Sequence, residues 1–397
     1  MAEDTPKQVV VVGGGPVLCD RLRQAGAQIT MVDTPAGYDP SLVAAAARTV
    51  LAEYDDPTLI PLLRALHEQS PFTAVLSLTE QGLLPAARIA AELGIPGLPP
   101  GVVARTRDKA AMRAWLRDQG FSEVPAAIVR DAADIRGFAD EHGYPVIVKP
   151  RHGQGSDHVA CFRRTEEVIT PPAIADDYLA EAFLPGPEVS VEAHSCAGEH
   201  HVIAITAKLT NDEDEANPFV EIGHLVPAPL DPADTAAVTA YVTGFLDAMG
   251  ITDGPSHTEL RLTPAGPAVV ETHTRVGGDS IPTLVRQATG HDLIGLLVQW
   301  ALDRTRPGEP EPTLGRAAAI RFFTPPPGRV RSVTGVPRFQ GLPGVLRLHL
   351  PLKAGDRIAP VADSRTRAGY VLAVSTAGDR AVDLCRRVIS GVQIDVG

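Results

Sequence analysis

Two short segments carry acid, base and cation side chains at alternate positions: Ser256-His-Thr-Glu-Leu-Arg-Leu-Thr263 and Ala268-Val-Val-Glu-Thr-His-Thr-Arg275. Pro264-Ala265-Gly266 lies between them, a loop with Gly last that suits a type I turn followed by a Gly bulge. That register pairs Arg261 with Val269, Glu259 with Glu271 and His257 with His273. Side chains alternate along strands, so His257, Glu259, Glu271, His273 and Arg275 share one face. Carboxylates placed directly opposite repel. A cation between them relieves this, and Mg²⁺ suits the position because it takes hard oxygen ligands together with substrate phosphates. Solvation of an exposed hairpin would explain each glutamate singly, but not the convergence. Without metal the pair is expected to store repulsion. Replacing either glutamate by Gln should then leave the metal-free protein as stable, or more stable by up to about 1 kcal/mol.

A second group suits phosphate. Val146-Ile-Val-Lys149 reads as a buried strand ending in Lys, and Gly153, Gly155 and Ser156 follow in a loop. Backbone N–H groups of such a loop approach phosphate oxygens, and the Lys adds a point charge. An ordinary turn explains the same residues if they are taken alone. Arg105, Arg107, Lys109 and Arg113 gather where Asp108 starts a helix. Cations there oppose the helix dipole, so either a bound anion or the Asp108 cap must compensate. Glu181 and Glu188 flank Pro185-Gly186-Pro187, as solvated turn residues or as partners of a base and a ribose. Gly13-Gly14-Gly15 after a strand, with Asp33 further on, resembles a dinucleotide fingerprint. Leu18 holds the place of its third Gly, so the match is incomplete.

The elements that must position these residues fall into blocks. Gln8–Val12, Ile29–Val32 and Ala74–Leu78 alternate with helical stretches, which predicts a parallel sheet covered by helices. Asp108 caps a helix to Gln119, and a second helix spans Asp131–His142. Beyond Lys149 the pattern is mainly β, with helices at Pro232–Met249, Ile281–Thr289 and Asp292–Asp303. Arg306–Pro312 is a Pro-rich linker. The expected division is 1–100, 101–305 and 306–397.

Composition narrows the function classes. The 397 residues suit two or three domains. A net charge of −12 and 5% aromatic residues argue against a general nucleic-acid binder. Cys19, Cys161, Cys196 and Cys385 are scattered, which suggests neither zinc nor disulfides. Met1–Pro6 lacks the pattern of a signal peptide, and no apolar run is long enough to cross a bilayer. A cytoplasmic protein without a membrane partner is expected. Asp212–Glu215 reads as a solvated acidic loop.

Taken in order, these motifs resemble the ATP-grasp superfamily, and most closely its amino-acid ligase branch. The resemblance implies a mixed α/β and α+β fold: a Rossmann-like N-terminal domain, small and large ATP-grasp lobes, and a small β-rich C-terminal domain. It implies ATP and Mg²⁺ as cofactors, and small-molecule carboxylate and amine substrates. Lys109, Lys149 and Lys208 would serve the nucleotide, with Gly153, Gly155 and Ser156 as the lid over its phosphates. Glu181, Ala182 and Leu184 would line the adenine site, and Glu188 would bind ribose. Glu259 and Glu271 would hold the metal, with His273 where the family commonly has Asn. Arg275, Gly277 and Gly278 would stabilise the reacting intermediate, and His257 would lie near the amine. The implied reaction joins a carboxylate to an amine through an acyl phosphate. A thiol acceptor on a carrier protein, a non-peptidic amine acceptor, a non-catalytic nucleotide-binding module and an NAD-dependent oxidoreductase stand as alternatives. A homodimer is left open.

Overall fold

The computed structural model describes residues 6–40, 46–174, 177–210, 219–308 and 317–397. The expectations for Met1–Thr5, for Asp212–Glu215 and for the 309–312 part of the linker lie outside the described residues.

Gln8–Val12 is buried along its whole length. Such a strand belongs at the centre of a parallel sheet covered on both faces. It sits between Gln28–Asp33 and Phe72–Leu76, and Arg48–Leu51 extends the sheet beyond Gln28–Asp33. Val10, Val12 and Val32 pack against Leu59, Leu63 and Ile89 on one face. Val9 and Val11 pack on the other against Leu18, Leu22 and the helix Leu293–Asp303, through Leu297, Trp300 and Ala301. That second face fastens the N-terminal layer to the rest of the chain. The first face holds the helix Glu80–Glu92 through Ala86, Ile89 and Ala90, and its Thr79 cap accepts from the Gly82 N–H.

Pro100–Arg107 is a helix that the Pro99-Pro100-Gly101 run disguises as a loop. Pro100 occupies its first turn, where a missing N–H costs nothing. Arg105 and Arg107 therefore lie at a helix C-terminus, where cations are favourable, and not at the start of the next helix as the sequence suggests. Arg105 stacks over Trp115 at 3.9 Å, and Arg107 lies 3.3 Å from Glu80. Asp108 caps Lys109–Asp118 through the Ala111 N–H and also takes both arms of Arg151. The carboxylates that meet Arg107, Lys109 and Arg113 are Glu80, Glu271 and Glu181.

The small lobe is a four-stranded antiparallel sheet in the order Ala126–Val129, Tyr178–Ala182, Val146–Pro150, Ala160–Phe162. The largest sheet has eight strands. Its order is Gly266–His273, Gly254–Thr263, Glu188–Cys196, Glu199–Thr210, Glu221–Val226, Ala317–Phe323, Gly369–Ser375, Val345–His349. The β-rich C-terminal part is thus largely an extension of this sheet. A separate three-stranded sheet joins Arg357–Ile358, Gly328–Thr334 and Gln393–Val396. Val189, Val191, Leu260 and Val269 turn one face of the large sheet toward the helix Pro232–Met249, meeting Val242, Phe245 and Leu246. The alternate residues Glu188, Ser190 and Glu192 therefore point the other way, as period-two alternation requires.

Candidate active site

The hairpin that carries the paired glutamates spans Gly254–Thr263 and Gly266–His273. His257 pairs with His273 and Glu259 with Glu271, as the sequence predicts. Nearer the turn the register differs: Thr263 pairs with Gly266 and Arg261 with Ala268. Gly266 belongs to the second strand, with φ +115°, so the loop is Pro264-Ala265 alone. A register shift beside Glu259 absorbs the difference at Val270. The His257 and His273 rings stack with centroids 6.1 Å apart.

Above this face lies a cavity of about 460 Å³. Its walls include Lys109, Lys149, Gly153, Gly155, Ser156, Glu181, Ala182, Leu184, Glu188, Glu259 and Glu271. Ile147, Val159, Ile174 and Phe183 add an apolar side. Lys208, His257, His273, Arg275, Gly277 and Gly278 do not border the cavity, and several of them brace residues that do. Gly186 at φ +118° keeps the turn between Glu181 and Glu188 against the hairpin, where a Cβ would lie 2.1 Å from the Leu262 carbonyl oxygen.

Each carboxylate has its cation. Glu259 lies 2.6 Å from the Lys208 ammonium, which also meets Glu221 at 2.6 Å and Glu188 at 3.0 Å. Glu271 lies 2.9 Å from Lys109, whose ammonium donates to the Gly153 carbonyl. Burial alone would raise the Glu259 carboxyl, but Lys208 and the His257 hydrogen bond hold it at about 2. Lys109 and His273 overcome the burial of Glu271 and hold it well below the usual range. The expected stored repulsion is therefore corrected: two lysines and two imidazoles already neutralise the pair. Glu181 is sunk between Arg113 at 2.6 Å and Lys149 at 2.5 Å, and their charges outweigh its burial and lower it to about 2. Its carboxylate is committed to those cations, which leaves the neighbouring backbone and the Ala182 and Leu184 side chains to meet a ligand.

Both histidines lie between carboxylates. His257 faces Glu192 through Nδ1 at 2.7 Å and Glu259 through Nε2 at 3.2 Å. Burial opposes its charge, yet the Glu192 carboxylate lifts it to about 9. His273 faces Glu80 through Nδ1 at 3.0 Å and Glu271 through Nε2 at 3.4 Å. Glu80 also accepts from Arg275 Nε at 3.1 Å, so the N-terminal layer braces the strand end that carries Arg275. Arg275 reaches the glycine loop as well, donating to Gln154 Oε1 at 3.1 Å. Gly277 rests on the His257–Glu192 pair. A Cβ there would lie 2.9 Å from His257 Nδ1 and 3.1 Å from Glu192 Oε2.

Residues 21–97 match the ATP-grasp N-terminal domain, 169–283 the ATP-grasp domain, and 321–397 the L-amino acid ligase C-terminal domain 2. A crystal structure of an L-amino acid ligase from Bacillus licheniformis superposes with a TM-score of 0.80 at 25% identity, covering 98% of this chain and 99% of that one. The chain belongs to the amino-acid ligase branch of the ATP-grasp superfamily. It is an ATP-dependent enzyme that forms carbon–nitrogen bonds. Among curated relatives, the uncharacterized protein y4rH of Sinorhizobium fredii is 28% identical, over 92% of this chain and 77% of its own. Dapdiamide A synthase of Enterobacter agglomerans is 24% identical, over 68% and 67% respectively.

Several residues that shape this ATP-grasp site escape a reading of the sequence. Glu80 and Glu192 complete the histidine pairs, and Glu221 joins Lys208. From the C-terminal region, the Ser364 N–H donates to the Gly155 carbonyl at 3.1 Å, and Arg365 reaches Asp157 at 2.7 Å on the cavity rim. Arg367 donates twice to Asp279, at 2.8 and 2.6 Å, and lies 3.5 Å over the Phe322 ring. The alternation of Glu188, Ser190 and Glu192 was the one available signal, since it puts Glu192 on the face of Glu188. No helix among the described residues is long and apolar enough to cross a membrane.

Proposed function

We propose that this enzyme joins a carboxylate to an amine at the expense of ATP, through an acyl phosphate, with amino acids or amino-acid-like molecules as both substrates. The observation that carries this reading is the placing of two lysines, a glycine loop and two facing glutamates around one cavity. Amino-acid-like substrates are supported by the names of similar proteins, an L-amino acid ligase and a dapdiamide synthase.

Lys109 and Lys149 supply positive charge where phosphates would lie, and Gly153, Gly155 and Ser156 form the lid over them. Ala182 and Leu184 border the base, Glu181 fixes Lys149, and Glu188 takes the ribose, with Lys208 ordering the carboxylates. Glu259 and Glu271 offer the cavity hard oxygen donors, so the residues fit Mg²⁺. When bound, the ion draws negative charge from the transferring phosphoryl group. Both ring nitrogens of His273 face carboxylates, so its role is to orient Glu271 and not to ligate. His257 is likewise a doubly engaged cation, which suits it to holding charge near the amine site and not to accepting a proton. Arg275 and the N–H groups of Gly277 and Gly278 lie off the nucleotide cavity, and the family resemblance supports giving them the oxyanion formed as the amine attacks.

Hydroxylamine in place of the amine tests the chemistry. Acyl hydroxamate and ADP are the expected products, while AMP with pyrophosphate would exclude the acyl phosphate. Product masses from paired amino acids then identify the substrates.

A further inference from the structure

We propose that Glu192 is a positioning residue for the metal cradle, aiming Glu259 through the His257 ring. This rests on the reading of Glu259 as a metal ligand. Glu192 is 1% exposed and lies directly across from His257 in the sheet, as Ser190 lies across from Glu259. Its Oε1 takes His257 Nδ1 at 2.7 Å and also accepts from the Ser190 hydroxyl at 3.0 Å. The far ring nitrogen then lies 3.2 Å from Glu259 Oε1.

Charge balance does not explain the arrangement, because Lys208 already stands 2.6 Å from Glu259. What the ring adds is direction. An imidazole with one nitrogen fixed to a carboxylate presents the other along one line, the usual way in which an outer residue orients a metal ligand. Here the fixed nitrogen faces Glu192 and the free one faces the carboxylate that would take the ion. Gly277 closes the arrangement from the other side, since a Cβ there would meet both His257 and Glu192. Without Glu192 the ring loses the acceptor that fixes its Nδ1, and Lys208 draws Glu259 toward Glu188 and Glu221, away from Glu271.

The test uses Mn²⁺ titrated into the full-length protein saturated with ADP, with bound metal read by electron paramagnetic resonance. Glu192→Ala is expected to weaken Mn²⁺ binding about 10- to 100-fold. Glu192→Gln keeps an acceptor for Nδ1 and should stay within about 3-fold of wild type, while ADP affinity without metal is unchanged in both. If Glu192→Ala does not fold, Glu192→Met, which fills the volume without an acceptor, gives the same reading. Glu259→Gln is the control. Loss of Mn²⁺ in Glu259→Gln but wild-type binding in Glu192→Ala or Glu192→Met overturns the role of Glu192. Equal weakening in Glu192→Gln and Glu192→Ala overturns it too. Wild-type binding in Glu259→Gln removes the metal reading itself, and the inference with it.

Discussion

Glu271 and Lys109 meet at 2.9 Å, one at the end of the hairpin and the other in the first turn of a helix that begins the small lobe. Lys109 is a buried residue, and among its neighbours Glu271 exerts the strongest pull on its charge. Glu271→Gln should therefore destabilise the nucleotide-free protein, by about 1–3 kcal/mol, because a largely buried ammonium loses its charged partner while keeping the Gly153 carbonyl. Glu259→Gln should cost less, since Lys208 keeps Glu188 and Glu221. Denaturant unfolding of both variants without nucleotide decides the matter. Wild-type stability for Glu271→Gln would mean that the pair carries no net stabilisation.

Gly277→Ala places a methyl group against His257, Glu192 and Ile281, at 2.9, 3.1 and 3.1 Å. Those side chains are packed in the interior and have little room to withdraw. A cost of about 1–3 kcal/mol is expected, as for overpacking in general. Ligase turnover should fall more steeply than ATP affinity, because the loop carries the proposed oxyanion donors and does not line the nucleotide cavity. Equal changes in turnover and ATP affinity would contradict this placement.

The pH dependence follows from His257. Its folded value, about 9, stands above its ordinary 6.5, so its stabilisation is complete below pH 6.5 and is lost as pH rises toward 9. Glu80 and Glu181 act at the other end. Both are held near 2, so their contribution is present above pH 4.5 and is lost as pH falls toward 2. Unfolding free energies for wild type and His257→Gln at pH 6, 7.5 and 9 check the upper limb. The wild type should lose stability across that span more steeply than the variant. Parallel curves would contradict the assignment.

Arg367 is a buried cation with two bonds to Asp279 and an aromatic ring beneath it. Arg367→Ala should cost about 3 kcal/mol, since among the described residues Asp279 then keeps His224 as its ion-pair partner. Arg367→Lys should recover part of this, because an ammonium cannot make the two-armed contact. Thermal melts rank the three proteins, and a lysine variant as stable as wild type would exclude the geometric explanation.

The legible parts of the sequence were those with a strict period. Alternation by two placed His257, Glu259, Glu271 and His273 on one face, and that face exists. The shift at Val270 was hidden, because nothing in Ala268-Val-Val-Glu marks one valine as extra. Capping residues gave the helices Ala132–His142 and Pro232–Met249 closely, whereas Pro99-Pro100-Gly101 masked a helix start. The partners of the histidines were out of reach for a different reason. Glu192 lies 65 residues from His257, and Glu80 lies 193 residues from His273. Long-range pairs of this kind are set by how the sheets stack, and no local pattern carries that information.

The joining of the Ala317–Phe323 strand to Glu221–Val226 has a practical consequence. A truncated protein ending at residue 308 would retain the hairpin, both lysines and the glycine loop. It would also leave the main-chain donors and acceptors of Glu221–Val226 bare along one edge, an open template for pairing with another chain. Such a fragment should come out of expression as aggregate and not as a weakened enzyme. The C-terminal region thus acts as an edge guard for the sheet, independently of anything it contributes to catalysis.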